Sequence, residues 1–484
     1  MRLHLLILGL TAAALAGCQA VPARDEVNTA LLPPSVVVEA VAGEDAAESP
    51  TNNANILLAN TEAPSLPTRG NAPAAARPIA LSLLDAVELC LSQNPDLQAA
   101  RAAEGVSAGA LGVAQTYPFN PYVQIQVTPS QQNAASPPTS TAHYVLLMQT
   151  LQLAHQRFHR ADAAAAALHS VRWSIVQAEL QATAQTQRLF FTAQYLHGLR
   201  DLAQSNAEMN RQLLDLATKQ LAAGQASGAD VAITRLDDLT ARRQAQLAQA
   251  NYLNGLLDLR RQLGLPLSTP LELTGQLADW NWKPAADDDQ LQNLEQLALS
   301  LTAGRPDVYA ACCDVEAARA NLRLAQANRI PDLTIGPYYQ RNDSGTTFWG
   351  FRAQSDIPIM NSGAPLVRQR LAELMQRQTV WEQLSTRASL EAQAALDRYR
   401  RALQMTAESG TGPGETLPKE LARLEAQFKA QEIDLVRVIT ARTSFFQARR
   451  AQLDALNELA QASAAVVATT GLPPQKLIEP TSAK

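Results

Sequence analysis

Aromatic residues make up only 5% of the 484 positions, charged residues 18%, and cysteine occurs four times. So few rings leave little for a large core built on Phe, Trp and Tyr. A net charge of −5, with no block of Lys or Arg, gives no footprint for nucleic acid. Cys90, Cys312 and Cys313 remain once Cys18 is set aside, and an odd number without regular spacing is no disulfide framework. Cys312 and Cys313 would point about 100° apart on a helix, so they cannot both face one metal easily and read as small apolar helix residues. His155 and His159 stand four apart, a spacing that puts two ligands on one helical face, with His143 and His169 nearby. They read as solvated histidines. No phosphate loop, nucleophile elbow or pair of carboxylates in a cleft is present, so the chain is not expected to be an enzyme.

Long hydrophobic runs are also missing. The one candidate, Leu5–Leu15, is too short to cross a bilayer as a helix. It follows Met1-Arg2 and precedes Leu15-Ala16-Gly17-Cys18, so residues 1–17 read as a secretory signal with a small-residue cleavage site. Leu-Ala-Gly-Cys also resembles the bacterial lipoprotein signal, in which Cys18 becomes the lipidated first residue of the mature chain. Gln19, rather than Asp, resembles lipoproteins sorted to the outer membrane. A covalent lipid on Cys18 is then the only non-protein group expected, and each methylene it buries adds about 0.8 kcal/mol of anchoring.

What the chain does have is Ala, Leu, Gln, Arg and Glu in long stretches, with Gly and Pro at the boundaries between them, as in packed helices. Residues 18–80 are rich in Ala, Pro, Asn, Glu and Thr without an apolar period and read as a disordered tether. After it one programme runs twice, at a spacing of about 210 residues, which marks an internal duplication. In residues 81–266 Ser82 caps a short helix, Asn94-Pro95-Asp96-Leu97 opens a second, and Pro118 and Pro121 follow. Tyr122–Val127 alternates with period two, placing Val123, Ile125 and Val127 on one face and Gln124 and Gln126 on the other. A partner strand is expected near His143–Gln152, then a helix or two stacked helices from Leu153 to about Ala223, with Gly198 as the only internal break candidate. Gly224 to Val231 makes a turn and cap, and the returning helix stops at Leu263-Gly264-Leu265-Pro266. Residues 267–288 read as a linker. Residues 289–473 repeat the pattern, with Arg305-Pro306-Asp307 opening the helix, runs at Leu333–Gln340 and Thr347–Ile359 around Asn342-Asp343-Ser344-Gly345, and Trp349 and Phe351 on one strand face. A descending helix is expected from Pro365 to Phe428, interrupted at Gly410–Gly414, and the returning helix ends at Gly471; residues 474–484 form a tail.

Strands with one apolar and one polar face, in a secreted chain, suit a transmembrane barrel wall, where every backbone group must be paired. Four strands cannot close a barrel, so copies must associate, and three would supply twelve strands. The long helices would continue the wall as a tube, with Ala permitting close packing and Gln hydrating the bore.

The residues that carry a family resemblance now stand in order. They are Leu81-Ser82-Leu83 with Ala86, Asn94-Pro95-Asp96-Leu97, Pro118 with Asn120-Pro121, and Gly224 with Asp230-Val231 and Leu263-Gly264. The second repeat adds Arg305-Pro306-Asp307, Ala325-Gln326-Ala327 with Ile330-Pro331-Asp332, Asp356-Ile357-Pro358-Ile359 and Thr470-Gly471. Over residues 80–475 the chain resembles the TolC-like outer-membrane efflux proteins, and Arg-Pro-Asp with Asn-Arg-Ile-Pro-Asp is similar to their cation-efflux, CzcC-like branch. The resemblance implies a mainly α fold with a small β part, a homotrimer with a twelve-stranded outer-membrane barrel, and a periplasmic α-barrel. It also implies a passive exit duct for metal cations or small toxic compounds, served by a periplasmic adaptor and an inner-membrane transporter of the RND type. At the periplasmic mouth Gly224 and Asp230 match the family pattern. In the second repeat the glycine position is Gln431, and the acidic positions of some relatives fall on Arg437 and Thr440, with Asp434 a turn away. The alternative for Asp230 and Asp434 is that they cap the returning helices. A periplasmic coiled-coil adaptor or a structural lipoprotein would also carry a signal and long helices. An adaptor needs one helical hairpin and a lipoyl-like β-domain, and a spacer needs no amphipathic strands.

Overall fold

The computed structural model describes residues 79–129, 141–224, 227–282, 288–302, 304–410, 423, 426–427 and 435–480. The Cys18 region, Gln431 and Asp434 therefore lie outside the described residues. The chain divides into two units: Met1–Ala80 with Ser268–Glu272, and Leu81–Leu267 with Leu273–Lys484. The first holds Ile79 and Ala80 of β1 (Ile79–Leu81) and Leu271 and Glu272 of β4 (Leu271–Leu273), two strands that pair with each other. Everything below belongs to the second.

That unit is the duplicated programme. The first repeat runs α1 (Leu83–Gln93), α2 (Pro95–Gln115), β2 (Tyr122–Thr128), β3 (Ala142–Leu151), α3 (Gln156–Ala222) and α4 (Gly228–Leu263). After β5 (Trp280–Trp282) the second runs α5 (Asp288–Thr302), α6 (Pro306–Ala327), β6 (Leu333–Arg341), β7 (Thr347–Ser355), α7 (Ala364–Gly410) and α8 (Leu435–Thr470). A last strand, β8 (Ile478–Pro480), closes the described chain.

Local chemistry explains the boundaries. Ser82 and Asp85 form a reciprocal capping box at the start of α1, with Asp85 N–H donating to Ser82 Oγ at 3.2 Å and Ser82 N–H to Asp85 Oδ2 at 3.1 Å. Pro95 and Pro306 hold the first turns of α2 and α6, where a missing N–H costs nothing. α3 is unbroken: it passes through Gly198, and 67 residues give it a length of about 100 Å. β7 stops at Ser355, before Asp356-Ile357-Pro358, so the second alternating run is shorter than its sequence pattern.

Two sequence motifs far apart in the chain meet at one point. The Asn94 side chain accepts from Leu97 N–H at 3.0 Å, capping α2, and donates to Gln262 O at 2.7 Å, at the end of α4. There Gly264 takes φ +70, and a Cβ would stand 2.5 Å from Gln93 O. Only glycine accepts both the left-handed turn and that approach. In the second repeat Arg305 replaces Asn94. It is buried and reaches Asp307 Oδ2 at 2.6 Å and Glu391 Oε2 of α7 at 3.1 Å, so the same helix start is tied by charge instead. Burial alone would raise the Glu391 carboxyl, but donors from Arg387 and Arg305 hold it below its ordinary value.

The core lies between helices. α3 packs against α2 and α4 of its own repeat and against α6 and α8 of the other, and α7 packs against α6 and α8. Small residues line these seams: Ala182, Ala184, Ala193, Ala388, Ala392, Ala460, Ala462 and Ala464 are all buried. The segments before α5 and after α8 also carry order that no period announces. β5 and β8 pair antiparallel, with Trp280 opposite Pro480 and Trp282 opposite Ile478. Phe191 packs edge-on against Trp280 at 5.4 Å, and Trp280 Nε1 donates to Gln194 Oε1 at 2.9 Å. Cys90, Cys312 and Cys313 are all buried in their helices; Cys90 and Cys313 are free thiols, and burial pushes that of Cys313 up to about 11.

Candidate membrane wall and helix tips

The two hairpins join into one antiparallel sheet with the order β2-β3-β6-β7. The seam between repeats is β3–β6, in which Tyr144 faces Gln340 and Thr150 faces Thr334. Both outer strands, β2 and β7, have one edge without a partner among the described residues. Near the middle, Gly336 lies against β3: a Cβ there would stand 1.8 Å from Leu147 O. Any larger residue would force the two strands apart.

Register builds a continuous apolar surface. Ile125 faces Val145, Val145 faces Tyr339, and Tyr339 faces Trp349, one row across all four strands. Val123 opposite Leu147 and Phe351 opposite Pro337 extend it. The side chains expected to form this face are bare: Val123 is 59% exposed, Ile125 68%, Val127 57%, Trp349 77% and Phe351 80%. The opposite face carries Gln124, Gln126, Tyr144, Gln340, Arg352 and Gln354 in register. On it Tyr144 and Tyr338 pack at 5.9 Å, and Arg352 Nη1 donates to the Tyr144 hydroxyl at 3.4 Å. Leu146 and Met148 are buried on this face too, a departure from a purely polar lining that the run Leu146-Leu147-Met148 hides, because it does not alternate.

Where the sheet meets the helices, a polar layer ties them together. Tyr117 OH donates to Thr150 O at 2.8 Å and accepts from Gln152 N–H at 3.0 Å. The buried Gln156 side chain accepts from Ala154 N–H and donates to Asp332 Oδ1 at 3.2 Å. His155 takes a left-handed φ of 61° as the residue before α3, and His159 Nδ1 is buried without a partner. No group of three or more His, Cys, Asp or Glu side chains comes together among the described residues. No described helix is long and apolar enough to cross a membrane.

At the far end of α3 the chain turns at Gly224, φ +72. Ser227 is the cap of α4, and Asp230 completes a capping box from the third position: Ser227 N–H and Oγ reach Asp230 Oδ2 at 2.9 and 2.7 Å. Asp230 thus has a capping role without being the cap residue. The hydrogen bonds from Ser227 hold its carboxyl below the ordinary value. On the neighbouring tip Arg437 is exposed, while Val438 is buried against Leu213 with Leu216 and Ile439 around it. Arg442 donates to Met209 O at 2.9 Å, joining α8 to α3.

No protein-family model matches the chain. It is 30% identical over 282 residues to the cation efflux system protein CusC of Escherichia coli K12, covering 53% of this chain and 54% of that protein. It is 28% identical over 269 residues to the probable outer membrane lipoprotein SilC of Salmonella typhimurium, again covering 53% and 54%. The chain thus spans about half the length of the curated relatives it matches. In structure it is similar to the outer-membrane channel OprN, with a TM-score of 0.64 and 16% identity over 80% of this chain and 89% of that one.

Proposed function

We propose that this chain, which has the fold of the TolC-like outer-membrane channels, is the outer-membrane exit duct of a tripartite efflux system. One observation carries the reading. A four-stranded sheet with a bare apolar face and two open edges is built directly onto a pair of repeated long-helix hairpins. Exposed apolar strands with unpaired edges are unstable in water and cannot face lipid alone. Pairing β2 of one copy with β7 of the next removes every edge, and three copies close twelve strands. The apolar row then faces lipid and the Gln, Tyr and Arg face lines water. The packed helices carry the bore onward through the periplasm, where an adaptor would join it to an inner-membrane transporter of the RND type.

Metal cations or small toxic compounds are the proposed cargo, supported by the similarity to a cation efflux protein. The duct works passively, by offering a hydrated path, and performs no chemistry on what passes. Cys18 carries the lipid that holds the amino-terminal end to the membrane. Purified protein reconstituted into a planar bilayer should give stepwise ionic currents; a preparation that inserts without conducting overturns the duct. Palmitate labelling should disappear in Cys18→Ser, and unchanged labelling removes the anchor.

A further inference from the structure

The sheet is almost without charge. From Gly105 to Gln156, a stretch that contains β2 and β3, there is no Asp, Glu, Lys or Arg. β6, β7 and the turn between them contain three: Arg341, Asp343 and Arg352. Arg341 is in register with His143 and Thr347 at the turn end, and by strand alternation it shares the apolar face of Tyr339 and Trp349. Asp343 lies in the turn, past that last pair. Arg352 stands opposite Gly336, on the face of Gln124, Gln126, Gln340 and Gln354. Among the described strand residues it is the one charged side chain on that face.

Uncharged rings hold it in place. The Tyr338 ring lies across β7, where a Cβ at Gly350 would stand 2.7 Å from its Cε1. Tyr144 packs on Tyr338 at 5.9 Å, and its hydroxyl accepts from Arg352 Nη1 at 3.4 Å. No carboxylate pairs with Arg352 among the described residues, and its side chain is exposed. A guanidinium keeps its proton throughout the working pH range, so the charge is permanent. Asp356, beyond the end of β7, is four residues away, about 13 Å at the rise of a strand. That exceeds the screening length of about 8 Å at physiological ionic strength. Asp332, just before β6, accepts from Gln156 Nε2 at 3.2 Å where the sheet meets the helices.

We propose that Arg352 sets the charge preference of the duct: repeated around the closed wall, it forms a ring of positive charge in a bore otherwise lined by amides and rings, and small anions pass more freely than bare cations. This rests on the duct proposed above and narrows its cargo to small compounds that are neutral or negatively charged. A ring of fixed charge raises the local concentration of ions of opposite sign and lowers that of its own. The amides of Gln124, Gln126, Gln340 and Gln354 hydrate either sign, so they do not oppose the bias.

The test uses the whole chain in a planar bilayer under a gradient of potassium chloride. The dilute side is kept near ~0.1 M, where a charge reaches about 10 Å. The reversal potential gives the ratio of chloride to potassium permeability. Arg352→Gln should lower that ratio about twofold or more, and Arg352→Glu should lower it further. Arg352→Lys, which keeps the charge, should stay near the wild-type ratio, and so should Arg341→Gln on the other face. Currents whose ratio is unchanged in Arg352→Gln and Arg352→Glu overturn the role of Arg352 and leave the duct standing. A fall in Arg352→Lys or Arg341→Gln equal to that in Arg352→Gln overturns it too, because the loss is then not one of charge at this place. Wild-type protein that inserts without current overturns the duct and this reading with it.

Discussion

At the residue scale, the side chains that join elements are polar ones at helix seams. Tyr195 on α3 donates its hydroxyl to Asp454 Oδ1 on α8 at 2.5 Å. Burial, with the Asp454 carboxylate beside it, pushes the phenol up to about 12 against an opposing effect of Arg450. A raised phenol stabilises the fold fully below the unfolded value of about 10, and that stability is lost as pH rises through 12. Tyr195→Phe should therefore cost about 1 kcal/mol at pH 7, allowing for the partial exposure of the pair. Helix melting in detergent, followed by circular dichroism, should show the gap between the two proteins closing as the pH is taken from 10 to 12. A gap that stays constant would mean the hydroxyl contributes by packing alone. Asp230 has the opposite sign: its lowered carboxyl supports the α4 cap above the unfolded value and is lost only as pH falls through the folded one, so neutral solutions leave it intact.

Among the elements, what could be read in advance and what could not divides along physical lines. Asn94-Pro95 and Arg305-Pro306 announced their helices because a cap and a Pro act within one turn. Tyr122–Val127 announced its strand and its apolar face because period two is a local signal, and Val123, Ile125, Val127, Trp349 and Phe351 all emerge on one surface. The seam between β3 and β6 was not legible, since it joins segments some 190 residues apart and depends on Gly336 allowing Leu147 to approach. Nor was the β5–β8 pair, whose three-residue strands show no period and are fixed by Trp280 docking on Phe191. The tip was half legible. Gly224 and Asp230 lie where expected, but Ser227, not Asp230, is the cap. The sheet's two faces make a direct test. Ile125→Lys puts a charge on the face proposed to meet lipid, at an expected cost of about 2–4 kcal/mol near the bilayer midplane. Gln126→Lys, one residue on, faces the other way. Outer-membrane recovery after fractionation should fall sharply for the first and little for the second; equal recovery would remove the assignment of faces.

For the whole molecule, the account stands on incompleteness. Among the described residues the sheet has an unpartnered edge at β2 and another at β7, and the proposed association of copies would pair them. The most direct measurement is the protein mass of the particle extracted from membranes in mild detergent, by light scattering corrected for bound detergent. With a chain of 52.1 kDa before processing, the account predicts a mass close to three processed chains. A particle of a single folded chain, its strands complete without a partner, contradicts it.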